Sequence, residues 1–225
     1  VGASFYLTSD ISGAVETIRA YRIISDVFRF LGVVGSPVME RLPSALLLVV
    51  LLAWHALNRD PHRVRVRTIA GMAAESALWA IPLVILLQLA AGITGGLAAP
   101  GAETDTGTAD LSALPPVSLA VISVGAGLYE ELLFRFLAIT TLHLALVDFL
   151  GMRDRRGTAL SIVLAAVAFA LYHDRSDLPA VVTYMLAGVY FGLVFAWRGL
   201  GIAVATHALY NLGVTVLIPA ISTRG

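Results

Sequence analysis

The chain has 225 residues, of which 58% are hydrophobic and only 13% are charged. Soluble domains carry about 25% charged residues, so water is not the main solvent of this protein, and its apolar runs indicate a polytopic membrane protein. The formal net charge of zero argues against a nucleic-acid surface, and the lack of cysteine excludes disulfides, a thiolate nucleophile and cysteine-based zinc sites.

The first part of the chain predicts one amphipathic helix and two transmembrane helices. Residues 1–37 contain an amphipathic pattern that is typical of a helix in the membrane interface, and packing of that helix on the bundle fits the pattern equally well. Residues 38–114 are predicted to form two transmembrane helices, the second over 68–94, followed by a flexible linker rich in Gly, Ala and Thr. Glu75, inside the second span, is expected to pair with an arginine or to face a wet cavity.

Residues 115–220 are predicted to form a catalytic membrane domain. Its first segment, 116–150, is too long for a ~30 Å hydrocarbon core at ~1.5 Å per residue. It is either one long tilted helix or two helices that break near Gly125 and Gly127, and three more apolar spans follow it. We therefore predict an all-α integral membrane bundle of about six or seven transmembrane helices, plus the N-terminal amphipathic helix.

Polar residues interrupt three of these apolar segments. They are Glu130, Glu131, Arg135, His173, His207 and Asn211. A single charged side chain near the bilayer centre costs about 2.5–3.5 kcal/mol on insertion scales. Polar groups on three separate segments therefore indicate a site within the membrane.

Helical spacing divides the roles of the two adjacent glutamates. Each residue advances about 100° around a helix, so Arg135 projects about 40° from Glu131 and about 140° from Glu130. Arg135 is therefore predicted to pair with Glu131 by the i,i+4 rule, which leaves Glu130 for the role of general base. An imidazole beside an amide, as at His207 and Asn211, resembles a site that donates hydrogen bonds to an oxyanion.

Each motif also has a purely structural explanation. The glutamates and their arginine would lock helix packing as a buried ion pair, and the histidine–asparagine pair would form interhelical hydrogen bonds. His173, which polar residues follow, would lie at the membrane interface. A zinc site built from Glu130, His173 and His207 is the alternative chemistry, since three such ligands plus water are a common catalytic set. The chain has neither a His-Glu-x-x-His nor a Gly-x-Ser-x-Gly motif.

Arginine-rich loops at 59–67 and 153–156 give the predicted orientation. The positive-inside rule places the first loop in the cytoplasm, and it places the second there too if 116–150 crosses the membrane once. One crossing separates His173 and His207 in depth, whereas two crossings bring them closer but leave a basic loop outside. Both arrangements stay open at this stage.

In chain order, Glu130-Glu131-x-x-x-Arg135, Phe169-x-x-x-His173 and His207-x-x-x-Asn211 fit three known motifs. Over about 115–220 the chain resembles the CAAX protease and bacteriocin-processing (Abi) family. Many relatives carry Gly where this chain has Phe136.

The resemblance implies a site in a cavity between membrane helices. In it, Glu130 would activate water with help from His173, while His207 and Asn211 would form the oxyanion site. The family has been described both as metalloproteases and as metal-free glutamate-dependent enzymes. We favour chemistry without a metal or other cofactor, because a Glu130 base with an asparagine in the oxyanion site needs no metal.

The resemblance also implies an endopeptidase in a bacterial cell membrane that cuts a peptide or a membrane-anchored protein substrate from within the lipid bilayer. The alternative is a non-catalytic scaffold or bacteriocin-immunity-type protein of the same family. A proton-relaying transporter is a weaker alternative, because the chain lacks the paired interrupted segments of transporters.

Overall fold

We describe the protein from a computed structural model, in which residues 18–30, 32, 42–58, 65–94, 115–173 and 177–217 are described. These residues form helices and no β-strand, which confirms the predicted all-α class. The helices are α1 (Arg19–Phe30), α2 (Leu42–Asn58), α3 (Val66–Thr94), α4 (Pro116–Phe149), α5 (Asp154–Tyr172), α6 (Leu178–Arg198) and α7 (Leu200–Leu212). The predicted linker, apart from Pro115, and residues 1–17 lie outside the described residues.

Four helices, α3 to α6, are long and apolar enough to cross a membrane. The shorter helices α2 and α7 are also apolar. Large apolar side chains such as Leu78, Ile85 and Val163 are exposed on the outer faces of these helices, where lipid would cover them. The chain is therefore an integral membrane protein with a polytopic helical bundle.

Helix α4 is one continuous helical run, so it does not break near Gly125 or Gly127. Its hydrogen bonding changes from α-helical to π-helical at Glu131–Ile139 and again at Leu144–Phe149. Turns of π-helix inside α-helices are rare and frequent at functional sites, and this one begins at the second glutamate of the predicted site. A single run fits the arrangement in which residues 116–150 cross the membrane once.

Helices α5 and α6 pack closely because α6 presents glycines to its neighbour. A Cβ atom on Gly188 would lie 2.8 Å from the Cα of Ala166, and one on Gly192 would lie 2.7 Å from the Cγ2 of Ile162. Small residues spaced four apart let membrane helices approach each other at backbone distance. The α5–α6 contact is therefore the tight centre of the bundle.

Helix α1 packs on the bundle through its apolar face. Ile18, Tyr21 and Ile24 are buried, and the Tyr21 ring meets the ring of Tyr129 on α4 edge to face at 5.6 Å. The opposite face carries the exposed Asp26–Arg29 pair. The sequence predicted either a helix in the membrane interface or a helix packed on the bundle. Over residues 18–30 the structure has the second arrangement.

A second connection between helices involves Glu75 of α3. Its carboxylate accepts hydrogen bonds from the guanidinium of Arg198, at the end of α6, and from the indole N–H of Trp79. This confirms that Glu75 pairs with an arginine. The pair ties α3 to α6 at a position distinct from the predicted catalytic cluster.

Candidate active site

Two helical hairpins bring the polar residues to a common level. Glu130 lies about 28 Å before the end of α4 and Tyr172 about 27 Å after the start of α5, at ~1.5 Å per residue. Phe191 and His207 similarly lie about 10 Å on either side of the α6–α7 turn. That turn is made by Gly199, whose φ of +83° favours glycine. The sequence spacing of each hairpin therefore sets which side chains meet.

The carboxylate of Glu131 bridges two helices at the centre of the site. Its Oε1 accepts a hydrogen bond from Nδ1 of His207 on α7 at 2.8 Å. Its Oε2 lies 3.2 Å from Nε of Arg135, one turn further along α4. The Glu131 and Arg135 side chains are 0% and 1% exposed. The structure thus confirms the predicted i,i+4 pair and adds an interhelical bond to it.

Arg135 is stabilised by charge and by aromatic faces more than by hydrogen bonds. Its contact with Glu131 is an ion pair without good hydrogen-bond alignment, because Oε2 of Glu131 and both terminal nitrogens of Arg135 lack hydrogen-bond partners among the described residues. The guanidinium lies over the ring of Phe169 at 4.4 Å and the ring of Phe191 at 5.2 Å. Desolvated cation–π contacts of this kind contribute ~2 kcal/mol, which offsets part of the cost of burying the cation.

Glu130 faces the second nitrogen of His207. Its Oε2 lies 3.9 Å from Nε2 of His207, and its Oε1 lies 3.5 Å from the hydroxyl of Tyr172, which can donate to it. A distance of 3.9 Å is too long for a direct hydrogen bond, and a water or substrate oxygen beside these two atoms can lie within hydrogen-bond distance of both. Tyr172 was not among the predicted site residues. Its position directly before His173, in a motif at the end of an apolar span, was the feature of the sequence that could have indicated it.

His173 is held at the end of α5. Its Nδ1 donates to the carbonyl oxygen of Phe169 at 2.8 Å, and its ring stacks on Tyr184 of α6 with centroids 3.8 Å apart. Among the described residues its hydrogen-bond partner is this carbonyl, not Glu130. Because a carbonyl oxygen only accepts, Nδ1 carries the proton and Nε2 of the neutral ring is an acceptor. Such an acceptor can orient a water molecule.

His173 and His207 both contact Phe169, although His173 lies at the end of α5 and His207 lies within α7. The centroid distances from the Phe169 ring are 4.5 Å to His173 and 6.5 Å to His207. A single crossing by α4 therefore does not separate the two histidines as the predicted depths suggested. The phenylalanine of the second motif is the common packing partner of all three motifs, since it also lies under Arg135.

Asn211 is buried one turn beyond His207 on α7. Its backbone carbonyl accepts a hydrogen bond from the hydroxyl of Thr215 at 2.7 Å, and Thr215 pairs with Ser123 of α4 at 3.1 Å. One turn earlier, α4 and α7 touch at Gly127, where a Cβ atom would lie 2.9 Å from the backbone nitrogen of Ala208. These contacts hold α7 against α4 over the two helical turns that precede the glutamate pair.

The zinc alternative and metal-free hydrolysis both stay predictions. Within the described residues no group of three or more His, Asp or Glu side chains is placed to hold a metal ion. Nδ1 of each histidine already has a hydrogen-bond partner, the Phe169 carbonyl for His173 and Glu131 for His207, which leaves Nε2 of each ring for other ligands. We derive no step through a metal.

Comparison with known families agrees with the three motifs. Residues 112–213 match the family model described as Type II CAAX prenyl endopeptidase Rce1-like. The matched segment contains all six predicted site residues. Searches among curated proteins and among solved structures found no match.

The match confirms the predicted family for the segment from the start of α4 to the end of α7. It is a family of proteases, so the general activity that it suggests is peptide hydrolysis by a membrane protein. Helices α1 to α3 lie outside the matched residues.

Proposed function

We propose that this chain is an intramembrane endopeptidase in which Glu130 activates water to cut a peptide or a membrane-anchored protein. The observation that carries the proposal is the 3.9 Å gap between Oε2 of Glu130 and Nε2 of His207 inside a buried cluster. At this separation the two atoms form no direct hydrogen bond, and one oxygen that lies beside the line between them can be about 2.8 Å from both. The resemblance of the chain to the CAAX protease and Abi family supports a bacterial cell membrane as the location.

The charges of the cluster balance when His207 is protonated. Glu130 and Glu131 contribute two negative charges, and Arg135 and an imidazolium at His207 contribute two positive ones. A neutral cluster is the cheapest arrangement of ionised groups in a medium of low dielectric constant. In the proposed mechanism Glu130 is ionised and His207 is positively charged, so the four side chains together carry no net charge.

Protonated His207 has the chemistry that an oxyanion site requires. A carboxylate only accepts hydrogen bonds, so Nδ1 of His207 carries a proton that it donates to Glu131. Only the imidazolium form of His207 also carries a proton on Nε2, the nitrogen that faces Glu130. Glu131 thus stabilises the donor form of His207 in the way that a buried carboxylate supports the histidine of a serine-protease triad.

The reaction then follows from these positions. Glu130 takes a proton from the attacking water, whose oxygen forms a bond to the carbonyl carbon of the substrate. Negative charge develops on the carbonyl oxygen, where Nε2–H of His207 and the side-chain amide of Asn211 donate hydrogen bonds. Glu130 returns the proton to the nitrogen as the carbon–nitrogen bond breaks. Nε2 of His173 accepts a hydrogen bond from the attacking water and orients it.

The decisive experiment compares wild type, Glu130→Gln and Asp148→Asn in the membrane. Asp148 is an exposed carboxylate near the end of the same helix, so its replacement controls for loss of a negative charge on α4. Membrane peptides are identified by mass spectrometry, with and without a chelator. We expect fragments that disappear with Glu130→Gln and persist with Asp148→Asn and with the chelator.

Other outcomes have distinct meanings. Fragments that survive Glu130→Gln would refute the proposal. Loss of fragments on chelation would indicate a metal-dependent protease instead. If no fragment depends on Glu130 and Glu130→Gln still supports the cellular phenotype, the chain is the non-catalytic scaffold or immunity protein that the buried ion pair also permits.

A further inference from the structure

We infer that α6, which carries none of the predicted site residues, positions both histidines of the site through Tyr184 and Phe191. The inference rests on the proposed function, because it assigns these two aromatic residues to the same hydrolytic site. Tyr184 and Phe191 act here as positioning residues, since each contacts a histidine and not the reacting atoms.

The two aromatic rings are stacked flat on the two imidazoles. The Tyr184 and His173 rings have centroids 3.8 Å apart and an angle of 17° between their planes. The Phe191 and His207 rings have centroids 4.5 Å apart and an angle of 19°. The histidines come from different helices, so one helix supports both of them.

The helical periodicity of α6 explains how one helix serves both rings. Tyr184 and Phe191 are seven residues apart, which is close to two turns, so they project from the same face. Gly188 lies between them on that face and allows the α6 backbone to approach Ala166 of α5. Both aromatic rings are buried, and Phe191 is only 2% exposed. The face is therefore rigid and close to the helices that carry the histidines.

Stacking supplies a constraint that the hydrogen bonds leave open. His173 and His207 are each held by one hydrogen bond at Nδ1, to the Phe169 carbonyl and to Glu131 respectively. A single bond fixes one atom of the ring and permits rotation about the bond axis. A flat aromatic neighbour fixes the plane, so that bond and plane together determine where Nε2 points. Reacting groups must be held within about 0.5 Å and 10–20° of their productive geometry.

Phe191 has a second partner that links it to the charge of the site. The Arg135 guanidinium lies 5.2 Å from its centroid, and the electron-rich face of an aromatic ring attracts cations. The same ring thus contacts Arg135 and the imidazolium that we propose at His207. Replacing Phe191 by an aliphatic residue removes both contacts while the segment stays apolar.

The test uses Tyr184→Leu and Phe191→Leu, with Tyr184→Phe as the conservative variant and Tyr190→Leu as the matched control. Tyr190 is an α6 aromatic whose ring meets the ring of Trp79 of α3 and, edge to face at 6.0 Å, that of Phe191, and among the described residues it has no ring contact with either histidine. Protein with ¹⁵N-labelled histidine is purified in detergent. The ¹⁵N chemical shifts of the imidazoles then report the tautomer and protonation of each ring.

We expect Tyr184→Leu to change the nitrogen signals of His173 from one tautomer to an average of both. We expect Phe191→Leu to move the signals of His207 from those of the imidazolium toward those of the neutral ring. Tyr184→Phe and Tyr190→Leu should leave both rings as in wild type. At equal amounts of folded protein, the two leucine variants should form Glu130-dependent fragments about 3-fold to 10-fold more slowly, which is the range expected for loss of an aromatic pair.

Two results would overturn the inference. The first is an unchanged histidine signal in both leucine variants, because the rings would then be positioned without α6. The second is a loss of activity in Tyr190→Leu equal to that in Phe191→Leu, because the effect would then be general destabilisation of the helix. If no Glu130-dependent fragment exists, the proposed function fails, while the nitrogen shifts still show whether α6 positions the rings.

Discussion

Replacing Glu131 by glutamine separates two roles that this carboxylate has in the structure. It compensates the buried charge of Arg135, and it accepts the hydrogen bond from Nδ1 of His207. Removing one partner of a buried ion pair costs about 3–5 kcal/mol, because the other charge is left uncompensated. We therefore expect Glu131→Gln to lower the free energy of unfolding by about that amount and to abolish activity for this reason alone.

The double variant Glu131→Gln/Arg135→Met isolates the second role. Replacing both partners of a buried ion pair by residues of similar volume is often neutral for stability, and a methionine retains favourable contacts with the rings of Phe169 and Phe191. The fold should therefore recover. The glutamine oxygen still accepts the bond from His207, but a neutral acceptor is about half as strong as an ionised one, so the imidazolium loses about 1.5 kcal/mol of support.

This loss corresponds to about a tenfold lower rate of fragment formation. Four proteins are compared: wild type, Glu131→Gln, Arg135→Met and the double variant. The assay measures thermal unfolding of each purified protein and fragment formation at equal folded concentration. Full activity in the refolded double variant would refute the role of Glu131 in protonating His207. Wild-type stability of Glu131→Gln alone would refute the ion-pair argument.

Two further substitutions test how the site is assembled. Gly127→Ala places a Cβ atom 2.9 Å from the backbone nitrogen of Ala208, so α7 must move away from α4; we expect a lower unfolding temperature and loss of fragments. Gly71→Ala in α3 is the control, because no atom lies within 4 Å of its Cβ position, and equal effects of the two would contradict the close-approach argument. Tyr172→Phe removes the hydroxyl that lies 3.5 Å from Glu130, so the cleavage rate should fall about 2-fold to 5-fold, as expected for one long hydrogen bond. An unchanged rate would show that the hydroxyl does not help to position the base.

The parts of the site that were predictable depend on local geometry. The pairing of Glu131 with Arg135 follows from residue spacing on one helix, and the structure has this pair. The apolar spans follow from hydrophobic length, and Glu75 follows from the cost of an unpaired charge in an apolar helix. These features need no knowledge of how the helices are arranged.

The features that were not predictable depend on the packing of separate helices. The bond between Glu131 and His207 requires α7 to lie against α4, which in turn requires Gly127 opposite Ala208. The stacking of Tyr184 and Phe191 on histidines has no signature in the sequence, because aromatic residues in a membrane helix are expected to pack in any case. The π-helical hydrogen bonding at Glu131–Ile139 was also not predictable, because this segment contains no proline or glycine that would indicate a departure from a regular α-helix.

The arrangement of charges favours an enzyme over a scaffold on energetic grounds. Glu131 and Arg135 already form a compensated pair between themselves, and a role in packing needs nothing more. Glu130 and His207 add a second acid and a second base, whose nearest atoms lie 3.9 Å apart and so form no direct hydrogen bond with each other. Each such group costs about 2.5–3.5 kcal/mol in a membrane. A scaffold needs only the bond between His207 and Glu131 at these positions, whereas the proposed hydrolase uses both Glu130 and His207 to bind and activate water.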